Sequence, residues 1–84
     1  MKLNSVLLEG VVIGIEVTKR KAWLKVDSDG VVVTAYANNP MRRLIQDKIH
    51  EGMEVRLLGR LKSCFRVEMN HLEYHADKKT EVIQ

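Results

Sequence analysis

Between Asn4 and Val17 the chain is dense in β-branched residues: Val6, Val11, Val12, Ile13, Ile15 and Val17. Apolar side chains fall on both parities, with Leu7, Val11, Ile13 and Ile15 on one and Val6, Leu8 and Val12 on the other. A strand apolar on both sides is buried twice or bends midway. Gly10 and Gly14 supply places to bend.

After the polar break at Thr18-Lys19-Arg20-Lys21 the pattern alternates. Ala22, Leu24 and Val26 form one face of a second strand, and Lys21, Trp23 and Lys25 form the other. Asp27-Ser28-Asp29-Gly30 reads as a turn, its Asp-Gly pair suited to positive φ. A third strand, Val31 to Ala37, sets Val31, Val33 and Ala35 against Val32, Thr34 and Tyr36.

The period then changes. Met41, Leu44, Ile45 and Ile49 recur at helical spacing, with Asn39 as N-cap, Pro40 in the first helical position and Gly52 as the stop. Alternation resumes from Met53 to Lys62, with Val55, Leu57, Gly59 and Leu61 expected inward. In the last strand Phe65, Val67 and Met69 share one parity while Leu72 and Tyr74 share the other. A one-residue slip near Asn70-His71, a β-bulge, reconciles them. On this parity Phe65 belongs to the core.

The element order is β-β-β-α-β-β: an all-β fold with one helix. Five strands with the helix between the third and fourth is the arrangement of the five-stranded OB-fold, a partly open Greek-key barrel. An SH3-like barrel has no counterpart to a helix of about three turns. Residues 1–76 form this domain, and residues 77–84 are expected to be a flexible tail.

Composition narrows the function classes. The chain has 84 residues, 30% of them charged, and a net charge of +3. That excess permits a polyanionic partner without demanding one. The lone Cys64 excludes an internal disulfide, no Cys-x-x-Cys pair offers zinc ligands, and Cys64 itself is expected to be buried or at an interface. No apolar run approaches the ~20 residues of a membrane span, and no signal-peptide pattern opens the chain. The cytoplasm is the expected compartment, with no membrane association.

Catalytic and cofactor chemistry finds little support. His71, Glu73, His75 and Asp77 alternate along one strand face, but His71 and His75 are too far apart to share an ion with both carboxylates. No nucleophile-base arrangement and no Gly-rich phosphate loop is recognisable. The expectation is a protein that is not an enzyme and needs no metal or cofactor.

Three stretches resemble the bacterial single-stranded DNA-binding protein family. Asn4-Ser5-Val6-Leu7-Leu8-Glu9-Gly10 resembles its opening N-x-V-x-L-x-G strand, and Val31-Val32-Val33-Thr34-Ala35-Tyr36 its third-strand valine run ending near an aromatic. Gly52-Met53-Glu54-Val55-Arg56-Leu57-Leu58-Gly59-Arg60-Leu61 resembles G-x-x-V-x-V-x-G-R-L. The resemblance implies single strands held over the sheet by aromatic stacking, and a homo-oligomer, dimer or tetramer, assembled through the first strand. It also implies a role in DNA replication, repair or recombination. Two departures stand out: the hairpin after the second strand is short, and no acidic tail that would recruit partners is present. In both respects the chain is similar to the primosomal replication-restart relatives, and it is expected to be a binding module rather than a recruiting hub.

Stacking on flat side chains and a cationic path for phosphates are what single strands need. Trp23, flanked by Lys21 and Lys25, is the leading candidate, with Tyr36 and Thr34 beside it on the third strand. Lys19 and Arg20 occupy the first connection, which OB-folds direct at oligonucleotides. Arg56, Arg60 and Lys62 line the outer face of the fourth strand, and Phe65 and Arg66 follow. Arg42, Arg43 and Lys48 on the helix read as solubility charges. The alternatives are an OB-fold protein-interaction module of a replication or primosome assembly, which the low aromatic content of 5% favours, and RNA binding by the same chemistry.

Overall fold

A computed structural model describes residues 4–76 and 79–83. Its elements run β1 (Ser5–Val17), β2 (Lys21–Ser28), β3 (Val31–Asn38), α1 (Met41–Lys48), β4 (Glu54–Leu61), β5 (Val67–Ala76) and β6 (Lys79–Ile83), with a 3₁₀ turn at Ser63–Phe65. The sheet order is β3-β2-β1-β4-β5-β6, and a parallel β3–β5 pairing closes it into a barrel. The expected five strands and helix are all present, in the expected order.

β1 bends as its two-sided pattern requires. Its first half pairs with β4 from Ser5↔Arg60 to Val11↔Glu54, and its second half pairs with β2 from Val11↔Asp27 to Val17↔Ala22. An irregularity between Val12 and Gly14 marks the change. Val12 is buried and Val6, Leu8, Ile15 and Val17 pack against the core, whereas Leu7, Val11 and Ile13 face outward and are exposed. At Gly10 a Cβ would collide with the carbonyl oxygen of Asp27, and at Gly59 with that of Glu68. Only glycine lets these strands approach so closely.

The core is filled from every strand and from the helix, with Leu24, Ile45, Leu57 and Leu72 among its fully buried side chains. Met41, Ile45 and Ile49 are buried where α1 covers one end of the barrel. The hairpin between β2 and β3 turns at Asp29 and Gly30, both at positive φ, and the Asp27 carboxylate accepts the Gly30 N–H at 2.8 Å. The bulge in β5 is present. Leu58 pairs with His71 and Gly59 with Met69, leaving Asn70 unmatched and shifting the buried parity from Val67 and Met69 to Leu72 and Tyr74.

Several expectations change. The helix ends at Lys48 with Ile49 as C-cap, and Gly52 serves a separate turn at φ 90°. Pro40 holds the N-cap position, and Asn39 receives the Arg42 Nε–H at 3.0 Å instead of capping the helix. Leu61 is exposed at the end of β4. Phe65 leaves the core parity because it sits in the 3₁₀ turn, not in β5, and is 85% exposed. Residues 79–83, expected within a flexible tail, form β6 against β5, with Ile83 buried and the Tyr74 hydroxyl bonded to Glu81. An apolar Val82-Ile83 pair with one side facing the core supplies the burial that a solvated tail lacks. Asp77 and the Cys64 side chain lie outside the described residues.

Candidate nucleic-acid interface

The outer face of β2 and β3 carries the candidate site. Because β2 alternates, Ala22, Leu24 and Val26 are buried and Lys21, Trp23 and Lys25 project outward. The ladder then sets Trp23 opposite Tyr36 and Lys25 opposite Thr34. The two rings meet at 5.0 Å between centroids, tilted by 42°, a favourable arrangement for aromatic pairs.

Two cations crown this pair. Lys21 Nζ lies 4.7 Å from the Tyr36 centroid and 5.7 Å from that of Trp23. The Arg66 guanidinium stands 5.1 Å from the Trp23 centroid. Such contacts hold flexible side chains over the rings, where a phosphate beside a stacked base would meet them.

Tyr36 is only 8% exposed, so it supports Trp23 more than it offers a free stacking face. Its hydroxyl donates to Glu68 Oε2 at 3.4 Å. Burial, then the Glu68 charge and hydrogen bond, raise its pKa above the ordinary 10.0, against a smaller opposing effect of Arg66.

Two loops frame the face. At the first, the Thr18 hydroxyl accepts the Lys21 N–H at 3.1 Å, and the Thr18 N–H donates to the Lys21 carbonyl at 2.8 Å. Lys19 and Arg20 are exposed at the tip of this tight turn. Arg42 secures it from the helix, donating to the Thr18 carbonyl at 3.2 Å; it is a brace, not a plain solubility charge. At the second loop the Lys62 N–H donates to the Arg66 carbonyl at 2.7 Å. That closure lifts Phe65 into solvent at φ 57°.

The remaining sequence candidates are spread more widely. Arg56 lies away from this face and forms an ion pair with Glu9 at 2.8 Å. Arg60 pairs in register with Ser5 on one side and Glu68 on the other, so any cationic path from Arg66 to Arg60 crosses a carboxylate. His71 Nε2 lies 3.1 Å from Glu73, while His75 contacts Thr80 at 3.2 Å. No group of three or more potential metal ligands converges among the described residues. None of the described helices is long and apolar enough to cross a membrane.

Sequence reasoning missed the acidic neighbours. Glu68 reaches the Tyr36 hydroxyl only through the parallel β3–β5 pairing, a long-range contact that no local pattern signals. Glu16 and Glu51 line the cleft beside Trp23. Of these, Glu16 was accessible in principle, since it shares an outward parity with Gly14 on β1 opposite Trp23.

No protein-family model and no curated protein matches the chain. Solved structures do. The mitochondrial single-stranded DNA-binding protein Rim1 of S. cerevisiae superposes with a TM-score of 0.76 at 12% identity, over 88% of this chain and 95% of Rim1. The SSB domain of a Synechococcus protein gives 0.72 at 18% identity, over 89% of this chain and 98% of that one. TiaS, in a complex of its ZRD-deleted mutant with agmatine, gives 0.70 at 17% identity over 89% of this chain. The chain spans only 22% of the length of that TiaS chain. At these identities the likeness establishes the architecture: the chain is an OB-fold barrel, similar in fold to single-strand-binding domains.

Proposed function

We propose that this barrel binds single-stranded DNA, taking most of its affinity from stacking on Trp23 and from phosphate contacts, in replication, repair or recombination. The observation that carries the reading is the cluster of Lys21, Trp23, Tyr36 and Arg66, gathered from β2, β3 and the loop before β5 onto one face. OB-folds use this face and the loops framing it for oligonucleotides. Rim1, a single-stranded DNA-binding protein of the same fold, supports the same reading. Phe65, exposed beside Arg66, offers a second stacking surface. Binding does not involve catalysis.

Self-association through β1 accompanies this reading. Leu7, 67% exposed, stands opposite the exposed Leu58 on β4, and β2 pairs with β1 only from Val11 onward. An apolar surface beside an unextended strand edge suits a second copy.

The deciding experiment is a titration of labelled oligo-dT across salt concentrations, following anisotropy and Trp23 emission. Binding should weaken with salt and quench the indole. Unchanged anisotropy at tens of micromolar protein in low salt would refute the proposal. Light scattering that detects only monomer would remove the oligomer.

A further inference from the structure

The cleft beside Trp23 is lined by two glutamates, Glu16 and Glu51, where a plain phosphate groove would have none. It encloses about 620 Å³, and Gly14, Glu16, Lys25, Thr34, Glu51 and Arg66 line it together with the indole. Glu16 sits directly across the β1–β2 ladder from Trp23. Among the described residues, the Arg56–Glu9 ion pair and the His71–Glu73 contact lie elsewhere. Both carboxylates are therefore available to a ligand, and both repel a phosphate.

What they match is an edge of N–H donors. A carboxylate accepts two parallel hydrogen bonds, and such charge-assisted pairs are the strong ones. Among the DNA bases, guanine alone presents two adjacent donor groups, N1–H and the N2 amino group, on its Watson–Crick edge. Thymine presents one N–H between two carbonyl oxygens, which a carboxylate repels. The rest of the cleft suits a flat ring. Gly14 adds no side chain to the floor, the Lys25 methylenes lie over it, and Trp23 forms a wall. Lys25 and Arg66 supply cations at the rim for the flanking phosphates.

We infer that this cleft reads one guanine of a bound single strand, with Glu16 and Glu51 accepting from N1–H and the amino group. The inference rests on the single-strand reading above and adds a base preference to it. The test compares labelled oligo-dT with the same strand carrying one central dG, deoxyinosine or dC, using the full chain at one salt concentration. The dG strand should bind about fivefold tighter than oligo-dT, the lower end of what a bidentate base contact gives. Deoxyinosine, which keeps N1–H and lacks the amino group, should fall between them.

Both glutamates are exposed, so Glu16→Gln and Glu51→Gln preserve the fold. The double substitution should bring the dG:dT ratio to about one while oligo-dT binds as well or slightly better. Equal affinity for the dG and dT strands in the unmodified protein overturns the guanine assignment and leaves single-strand binding standing. So does a dG preference that survives the double substitution. Failure of every strand to bind overturns both readings.

Discussion

Trp23 and Tyr36 face each other across the β2–β3 ladder with their ring centroids 5.0 Å apart, and they are not equivalent. Trp23 is half-buried, while Tyr36 is closed in beneath Lys21 and bonded to Glu68. The proposed stacking therefore falls to Trp23. Trp23→Ala should weaken oligo-dT binding by about 1–3 kcal/mol, measured by anisotropy. Tyr36→Phe should change affinity less than about twofold, because the ring that supports Trp23 remains. A larger loss in Tyr36→Phe would mean that the hydroxyl itself contacts the strand.

Phe65 combines high exposure with a left-handed backbone, two features that stability alone does not select. A bulky residue at φ 57° costs about 1–2 kcal/mol relative to its preferred regions. Phe65→Gly should then hold or raise the urea midpoint, by up to about 1 kcal/mol of stability, and weaken strand binding. A lowered midpoint would show that the ring packs in the folded state.

Arg56 and Lys25 are both cations on outer strand faces, but their settings differ. Arg56 is already paired with Glu9, whereas Lys25 lines the Trp23 cleft. For single strands the slope of log affinity against log salt changes by about 0.7 per phosphate contact. Lys25→Gln should reduce the slope by about that amount, and Arg56→Gln should leave it unchanged. The reverse result would move the binding face to β1 and β4.

Local patterns in the chain account for most of this architecture. Alternation along β2 and β4, the Asp29-Gly30 turn and the parity conflict resolved at Asn70 are all local signals, and each has a local structural cause. The site was half legible for the same reason: Trp23 and Lys21 are neighbours by alternation. Arg66 over Trp23 and Glu68 on Tyr36 arise from barrel closure, and Arg42 on Thr18 from the seat of the helix, each joining segments distant in sequence. Phe65 was misread because parity cannot foresee a 3₁₀ turn that interrupts the strand. β6 was missed because five residues at the chain end give too short a pattern to separate a strand from a solvated tail.

Gly59 lies where β4 passes against β5, and an added Cβ would run into the Glu68 carbonyl oxygen. Backbone cannot yield as a flexible side chain tip can. Gly59→Ala should therefore cost about 3 kcal/mol or more, the upper end of overpacking penalties. Gly14→Ala, where the nearest atoms belong to Lys25 at 3.6 Å, should cost far less. Paired urea denaturation curves compare them directly, and equal midpoints would mean that β4 and β5 separate readily.

The hydroxyl of Tyr74 donates to Glu81 Oε2 at 2.5 Å and ties β6 to the barrel. This hydrogen bond, then burial and the carboxylate's charge, raise the Tyr74 pKa above the ordinary 10.0. The folded chain therefore keeps a proton that the unfolded chain releases near that value. By linkage, this contribution to stability is complete below about pH 10 and is lost as pH rises through the higher folded value. Tyr36 shifts in the same direction, so Tyr74→Phe should flatten the alkaline decline in part. It should also lower stability at neutral pH, because Glu81 loses its donor. Denaturation midpoints from about pH 8 to about pH 11 measure both effects, and an alkaline limb unchanged by Tyr74→Phe would show that the β5–β6 tie does not hold in solution.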